Sequence, residues 1–222
     1  MISSLQIKQF ATELGADKCG ISSIERFKDA PAGFHPVDIW SDCKSVVVFL
    51  KSMPRLAIQT ENPIVYSHTA YTLYTSLDRL GLDLCLKLQG VGLDAIPVPT
   101  DVPYLYWNEE LKRGMGILSL RHSAYNAGLG IMGRNTLLIT PEFGNMVYLG
   151  AVLIDARPDE DPLIEDFSCP DGCSLCMDSC PVNALDGISV NQKACRGVSS
   201  ITHERGWDIY ICSECRKVCP LG

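Results

Sequence analysis

Cysteine spacing in the last quarter of the chain constrains its fold more than any other sequence feature. Of the 11 cysteines among 222 residues, eight fall in two runs that each finish with Cys-Pro. The runs read C-x3-C-x2-C-x3-C-P and C-x16-C-x2-C-x3-C-P, and their members are Cys169, Cys173, Cys176, Cys180, Cys195, Cys212, Cys215 and Cys219. Because gaps of two or three residues let neighbouring thiolates reach one metal centre, we expect this segment to fold around bound metal.

The doubled Cys-Pro pattern predicts two [4Fe-4S] clusters held by thiolates. Its spacing is close to that of bacterial two-cluster ferredoxins, in which the cysteine before proline ligates the other cluster. We therefore predict two interlaced ligand sets, the first being Cys169, Cys173, Cys176 and Cys219, and the second Cys180, Cys195, Cys212 and Cys215. Interlacing would keep the clusters close enough to exchange electrons.

Zinc sites and disulfide bonds are two alternative roles for these cysteines. Structural zinc sites also use C-x2-C pairs, but zinc does not account for two terminal Cys-Pro units. A disulfide framework belongs to small secreted domains, and the start of this chain does not resemble a signal peptide. The remaining cysteines lack metal spacing and are interpreted as small buried hydrophobes: Cys19, Cys43 and Cys85.

Composition and charge narrow the class of protein. The chain is 46% hydrophobic and 20% charged, without a run of about 18 apolar residues, so we expect a globular cytoplasmic protein without a membrane span. Its net charge is -7. Because nucleic-acid binding needs a basic surface, this charge argues against a general nucleic-acid partner.

Charge also predicts a domain boundary. Residues 1-158 contain 14 Lys and Arg against 15 Asp and Glu, whereas residues 159-222 contain 5 against 11. The change falls at the acidic, proline-containing stretch that begins at Arg157. We therefore predict a domain over residues 1-158 and a small cluster-binding domain over residues 159-222.

Residues 1-158 show alternating helical and strand patterns, which predict an α/β fold. Ile7, Phe10, Ala11 and Leu14 have helical spacing behind Ser3, and residues 46-50 form an apolar run typical of a strand buried on both faces. Further helices are predicted near residues 68-89 and 118-126, and further strands at 18-22, 95-99 and 136-140, the last forming a hairpin with 146-155.

A glycine motif follows the helix predicted at 118-126. Gly128-x-Gly130-x-x-Gly133 matches the dinucleotide-binding fingerprint, and Asp155 lies about 20 residues further on, as that fingerprint requires. The fingerprint must follow a strand and open a helix, whereas this loop follows a helix and precedes a strand. We therefore reject a dinucleotide site and leave two uses open, either backbone contact with another cofactor or a tight turn packed on the sheet.

The stretch from Ser119 to Ile139 contains AGLG-x-x-G-R-N-T and is followed by the two Cys-Pro runs. Together these motifs resemble the epoxyqueuosine reductase family and, more distantly, reductive dehalogenases. The resemblance extends from Ile7 to Leu221. It implies a nitroreductase-like α/β sandwich that binds cobalamin base-off, followed by a ferredoxin-like double-[4Fe-4S] module that supplies electrons. In such enzymes the reduced cobalt removes oxygen or halogen from an organic substrate.

The resemblance also implies candidate cofactor contacts. The glycine segment would lie against the corrin or its nucleotide tail, through Gly128, Gly130, Gly133, Arg134 and Asn135. Arg121 and His122 stand at the start of the same segment and are further candidates. For His122 the alternative is a partly buried, hydrogen-bonded side chain with no functional role.

Departures from the family pattern limit what can be assigned. Family members have an acidic proton donor upstream of AGLG, whereas residues 113-120 contain no carboxylate, which leaves Asp101, Glu109 or Glu110 as candidates and no assigned catalytic residue. We expect a short form without the helical repeat that grips transfer RNA, acting on an unidentified small molecule. The sequence therefore predicts an iron-sulfur oxidoreductase fed by a low-potential donor such as a ferredoxin or flavodoxin. The alternative is an electron carrier without corrinoid.

Overall fold

A computed structural model describes residues 2-222. In chain order its elements are α1 (Ser4–Glu13), β1 (Lys18–Ser23), α2 (Pro36–Ile39), β2 (Ser45–Ser52), α3 (Leu56–Gln59), α4 (Pro63–Gln89), β3 (Ala95–Val98), β4 (Tyr106–Asn108), β5 (Arg113–Met115), α5 (Leu120–Asn126), β6 (Ile131–Met132), β7 (Leu138–Ile139), β8 (Val147–Ile154), α6 (Leu175–Asp178), α7 (Gln192–Ser199), β9 (Ser200–Thr202), β10 (Asp208–Tyr210) and α8 (Glu214–Lys217).

The central sheet has four strands in the order β1-β2-β8-β3, and each neighbouring pair is antiparallel. Strands β2 and β8 lie in the middle, so the apolar run at residues 46-50 is buried on both faces, as predicted. In their register Phe49 lies opposite Gly150, and a Cβ at position 150 would lie 2.3 Å from the Phe49 ring. The glycine therefore makes room for the largest side chain of the strand.

Helices cover both faces of the sheet. Because successive strand residues point to opposite faces, Val47 and Phe49 pack in one core with residues of α1 and α4, whereas Val46, Val48 and Leu50 pack in a second core with α5 and the segment after it. The α/β class predicted from the sequence is confirmed, in the form of a sheet between two helical layers.

Helix ends follow the predicted signals at some positions and differ at others. The Ser3 hydroxyl caps α1 by accepting a hydrogen bond from the Gln6 amide at 3.2 Å. Helix α4 begins five residues before the predicted start, because the Asn62 side chain caps the Ile64 amide and Pro63 occupies the first turn. Apolar spacing alone missed this first turn.

The predicted hairpin between residues 136-140 and 146-155 is wrong. Strand β7 is only two residues long and pairs with β6, whereas β8 pairs with β2 and β3 in the central sheet. A bridge between Thr140 and Gly144 closes the connecting turn locally. The turn residues were therefore recognised correctly, but the partner of the long strand comes from elsewhere in the chain.

The cysteine-rich segment packs against α4. Tyr71 on α4 stacks on Tyr210 in β10 with ring centroids 5.6 Å apart, and the Ser67 hydroxyl accepts a hydrogen bond from the Tyr210 amide at 2.9 Å. The acidic stretch before this segment is also anchored, since Asp161 pairs with Lys8 at 2.7 Å and accepts from the Ile21 amide at 2.9 Å. The domain boundary at residue 158 stays a prediction.

A helix that spans a membrane needs about 20 mostly apolar residues. Among residues 2-222, every helix is too short or too polar to cross a bilayer.

Candidate functional site

The first predicted cysteine set surrounds a small cavity. Cys176 lies on α6, Cys169 and Cys173 lie in the loop before it, and Cys219 follows α8. All four line the same cavity, together with Arg134, Asn135 and Leu221 among others. Burial raises the pKa of the Cys176 thiol, and the nearby Cys169 and Cys219 raise it further. The chain thus gathers the four thiols that the interlaced pattern assigned to one cluster.

Thiols of the second predicted set influence one another's pKa, and Cys176 of the first set also acts on Cys215. Burial, followed by the neighbouring Cys195 and Cys212, raises the pKa of Cys215 to about 11. Cys195 in turn is influenced by Cys212 and by Cys180, the thiol that comes from the first run. These thiols would bind metal as thiolates, with the metal replacing the protons. Within residues 2-222, no three His, Cys, Asp or Glu side chains lie close enough to share a single metal ion.

Two consecutive residues after the glycine loop connect the sheet domain to both cysteine sets. Arg134 donates from Nη1 to the carbonyl oxygen of Cys173 at 2.6 Å. Asn135, buried at 3% exposure, donates from Nδ2 to the carbonyl oxygen of Cys215 at 3.1 Å. Both residues were predicted to bind a cofactor, and their described contacts are with the backbone of predicted cluster ligands.

A second cavity, of about 340 Å³, is lined mostly by residues of the sheet domain and by Arg216 of the cysteine-rich segment. Its volume is at the lower end of the range of about 300–1,000 Å³ that is typical of small-molecule sites. One wall is apolar and includes Ile117, Leu118, Leu138, Val147 and Leu149. The polar lining includes Tyr74, Thr100, Asp101, Arg121, Asn145, Tyr148 and Arg216. We refer to this space as the domain cavity.

Unpaired polar atoms lie at the domain cavity. Within residues 2-222, three buried side-chain oxygens lack a hydrogen-bond partner, and two of them, Thr100 Oγ1 and Asn145 Oδ1, belong to residues that line this cavity. A buried polar atom without a partner costs about 1–3 kcal/mol. The unpartnered Thr100 hydroxyl fits an organic ligand with hydrogen-bonding groups such as a corrinoid, whereas Asn145 Oδ1 faces Gly222, at which a Cβ would lie 2.8 Å away.

Arg121 is the member of the predicted cofactor set that lines the domain cavity. Its Nη1 donates to both the carbonyl oxygen and the hydroxyl of Thr136, the latter at 3.2 Å. Thr136 has a φ of +62°, a conformation that is unusual for a β-branched residue and that is found at functional sites. Burial lowers the pKa of the Arg121 guanidinium, and the nearby Arg113 and Arg196 lower it further.

Arg216 links the second cysteine set to the domain cavity. It follows Cys215 in α8, lines the cavity and is only 9% exposed. Its Nη1 donates to the carbonyl oxygen of Asn145 at 2.6 Å, and its guanidinium lies 5.4 Å from the centre of the Tyr148 ring. Sequence analysis missed Arg216, Asn145 and Tyr148. Arg216 could have been found from the sequence, because it directly follows Cys215.

The glycine loop packs against the protein's own chain. A Cβ at Gly128 would lie 2.1 Å from the carbonyl oxygen of Pro162, and one at Gly130 would lie 2.4 Å from that of Ile139. At Gly133 the close neighbour is the Ile139 side chain. The glycines therefore permit close backbone approach, as expected, and the backbone that approaches belongs to this chain. Cofactor binding by the three glycines stays a prediction.

The remaining candidate cofactor contact, His122, and the three candidate acids lie in different parts of the structure. His122 shares a 2.7 Å hydrogen bond between its Nδ1 and the Ser119 hydroxyl, and it is exposed instead of partly buried as the alternative expected. Asp101 lines the domain cavity, and burial raises the pKa of its carboxyl group. Glu109 and Glu110 lie in the exposed turn between β4 and β5. Of the three candidate acids, Asp101 is the one placed at the cavity.

Comparison with known proteins confirms the resemblance found in the sequence. An epoxyqueuosine reductase of Staphylococcus aureus is 28% identical over 258 residues, an alignment that covers 99% of this chain and 65% of the relative. The chain thus spans about two thirds of the length of this relative. No family model matches the chain.

Solved structures share the fold. The epoxyqueuosine reductase of Streptococcus thermophilus superposes with a TM-score of 0.69 at 20% identity, covering 100% of this chain and 66% of that one. A reductive dehalogenase whose structure suggests B12-dependent dehalogenation also superposes with a TM-score of 0.69, at 18% identity, covering 97% of this chain and 31% of that one. The distant similarity to reductive dehalogenases is therefore confirmed at the level of fold.

Proposed function

We propose that this protein is an iron-sulfur reductase that passes electrons through two [4Fe-4S] clusters to a substrate site in the domain cavity. The observation that carries the proposal is the cavity lined by Cys169, Cys173, Cys176 and Cys219, together with Arg216, which follows Cys215 and lines the domain cavity. Four thiolates are the ligand set of one [4Fe-4S] cluster. The similarity to epoxyqueuosine reductases supports the reductase class.

A corrinoid is the proposed cofactor at the domain cavity. It would supply a low-valent metal that accepts electrons from the clusters and reacts with the substrate. Thr100 would contact its polar edge, and the apolar lining of the cavity would exclude water. Only part of a corrinoid fits within 340 Å³, so the remainder would extend beyond the cavity. The B12-dependent chemistry suggested for the dehalogenase neighbour supports this choice.

Asp101 is the proposed proton source. Reductive removal of oxygen or halogen consumes protons, and a general acid must remain protonated near its working pH. Burial raises the pKa of Asp101, the neighbouring Asp78 and Asp208 raise it further, and Arg196 opposes them. Asp101 is therefore the candidate acid whose carboxyl group lines the cavity and has a raised pKa.

The electron donor is proposed to be a low-potential protein such as a ferredoxin or flavodoxin. Burial, local hydrogen bonds and cluster charge set the potential of protein-bound [4Fe-4S] clusters, which in most ferredoxins is low. The substrate is proposed to be a small molecule, which suits the cavity volume, and the acidic net charge of -7 disfavours a nucleic-acid substrate.

Corrinoid binding is the step that tests this function. Cluster-loaded protein, prepared without oxygen, is titrated with cob(II)alamin while the visible spectrum reports loss of the lower axial base. Micromolar binding with a base-off spectrum is the expected result. Absence of binding at ~100 μM, equivalent to a binding free energy weaker than about -5.5 kcal/mol, would contradict the corrinoid part of the proposal.

One observation favours a second function, that of an electron carrier without corrinoid. The glycine loop that the family resemblance places against the corrin packs instead on Pro162 and Ile139 of this chain. In that case the protein would carry two clusters and transfer electrons to a partner. Full cluster content combined with failed cob(II)alamin binding would select this alternative.

A further inference from the structure

Arg121 lies at the domain cavity without a carboxylate partner among residues 2-222, and two further arginines lie near it. Arg121 lines the cavity, and both Arg113 and Arg196 lie close enough to lower its pKa. Among the ion pairs formed within residues 2-222, none involves Arg113, Arg121 or Arg196. Asp101 is the acidic group that is influenced by Arg196. In a chain with a net charge of -7, such a concentration of unpaired positive charge needs an explanation.

The predicted clusters account for part of this charge. Arg196 follows Cys195, and Arg216 follows Cys215, so their guanidinium groups lie beside thiolates that carry negative charge in the loaded protein. Arg121 is different, because it belongs to α5 of the sheet domain and its described hydrogen bonds go to Thr136. Its charge therefore lacks a local anion.

Donor groups on Arg121 remain available. A guanidinium has five N–H donors, and within residues 2-222 the hydrogen bonds of Arg121 all start from Nη1. Nε and Nη2 have no partner there. Because Thr136 holds Nη1, the guanidinium is oriented before any ligand arrives. An oriented guanidinium with free N–H groups is suited to a carboxylate or phosphate, which it can bind through two parallel hydrogen bonds.

We propose that the domain cavity takes a small organic anion as substrate and that Arg121 binds the carboxylate or phosphate of that anion. The apolar wall formed by residues such as Leu118 and Leu138 would contact the rest of the molecule. The inference deepens the proposed reductase function by naming a substrate class, but the anion site itself does not need a corrinoid.

The test uses cluster-loaded protein without corrinoid and calorimetric titration with three probes. Cyclohexanecarboxylate supplies an apolar body with a carboxylate, cyclohexanecarboxamide is its neutral isostere, and inorganic phosphate represents the second anion. We expect one or both anions to bind at least about tenfold more tightly than the amide. Equal affinity of acid and amide, together with no phosphate binding, would overturn the proposal.

Arg121→Gln tests the residue. Anion affinity should fall by about tenfold or more, to the level of the amide, because charge-assisted hydrogen bonds are lost. Arg79→Gln is the matched control, since it removes the same charge from an exposed arginine that pairs with Asp83 at 2.9 Å on α4. It should leave anion affinity unchanged. Full anion affinity in a folded Arg121→Gln protein would sink the assignment.

A second variant keeps the test decisive if Arg121→Gln does not fold. Gly116 lines the cavity, and a Cβ there would have the Leu118 carbonyl oxygen as its nearest contact, at 3.8 Å. Gly116→Leu therefore adds volume at the cavity wall without a backbone clash and should abolish anion binding while Arg121 remains. Unchanged binding in this variant would place the anion outside the cavity and overturn the proposal.

The anion could also be the phosphate of the cofactor's nucleotide tail, and two corrinoids separate these sources. Cobinamide lacks that tail, whereas cobalamin has it. If Arg121 binds the substrate, Arg121→Gln should leave the affinities for cobinamide and for cobalamin unchanged. Weaker binding of cobalamin alone would assign Arg121 to the cofactor and overturn the substrate proposal. If the wild-type protein binds cyclohexanecarboxylate but no corrinoid, the proposed cofactor fails and the anion site stands.

Discussion

Asn135 donates its side-chain amide to the carbonyl oxygen of Cys215 at 3.1 Å, which joins the sheet domain to the second cysteine set. The preceding residue, Arg134, makes the corresponding bond to Cys173 of the first set at 2.6 Å. One dipeptide therefore contacts both predicted cluster sites. Any movement of this loop relative to the sheet would be transmitted to both sets of ligands.

Asn135→Ala should destabilise the protein and loosen the second cluster site. The buried side chain also accepts from the Leu137 amide at 3.1 Å, so the substitution leaves buried backbone groups unpaired at a cost of about 1–3 kcal/mol. Chemical denaturation of the cluster-loaded protein, followed by visible absorbance and circular dichroism, measures the loss. Gln59→Ala, at an exposed position, should stay within about 0.5 kcal/mol of wild type. Equal stability of the two variants would contradict the role assigned to Asn135.

Reconstituted protein should contain about eight iron and eight sulfide, the sum of two [4Fe-4S] clusters. Cys176→Ala should lower the iron content toward four and destabilise the surrounding segment, because metal binding there contributes to folding. Cys85→Ala is the matched control, since Cys85 is buried on α4 away from both sets, and it should retain the full content. Stoichiometric zinc in place of iron, or four iron in the wild-type protein, would refute the two-cluster assignment.

Gly128→Ala should destabilise the fold whether or not a corrinoid binds. Gly128 has a φ of +66°, and a Cβ there would lie 2.1 Å from the Pro162 carbonyl oxygen. Gly33→Ala is a control with the same backbone penalty, because Gly33 has a φ of +85° and open space around its Cβ position. We expect Gly33→Ala to cost about 1 kcal/mol and Gly128→Ala distinctly more, as measured by thermal unfolding. Similar losses would show that the contact with Pro162 is not tight.

Cys19, Cys43 and Cys85 should resist alkylation in the folded protein. Burial raises the pKa of Cys19 and of Cys85 to about 12 and that of Cys43 to about 11. Only the thiolate reacts, so at pH 8 roughly one Cys19 in ten thousand is reactive even before access is considered. Iodoacetamide labelling followed by mass spectrometry should find these three cysteines unmodified in cluster-loaded protein and fully modified after denaturation. Rapid labelling of Cys43 or Cys85 in the folded state would contradict their burial.

Local patterns were sufficient to predict several elements. Helix α1 and strand β2 follow directly from residue spacing and from a continuous apolar run, because each depends on its own residues and on being covered on the expected faces. The cysteine pattern predicts which thiols share each cluster, because short gaps and the Cys-Pro units leave few ways to surround two centres. In the folded chain the first set lines one cavity, and the assignment of ligands to two clusters stays a prediction.

Contacts between distant segments decided the rest. The strand partner of β8 is β2, about a hundred residues earlier, and no turn signal specifies it. The glycine loop could face a cofactor or the chain itself, and only the packing of Pro162 and Ile139 distinguishes the two. The domain cavity combines Thr100, Asn145 and Arg216 from three separate regions. Sequence spacing determines which local structures and ligand sets neighbouring residues can form. A cavity lined by distant segments exists only after long-range packing has brought those segments together.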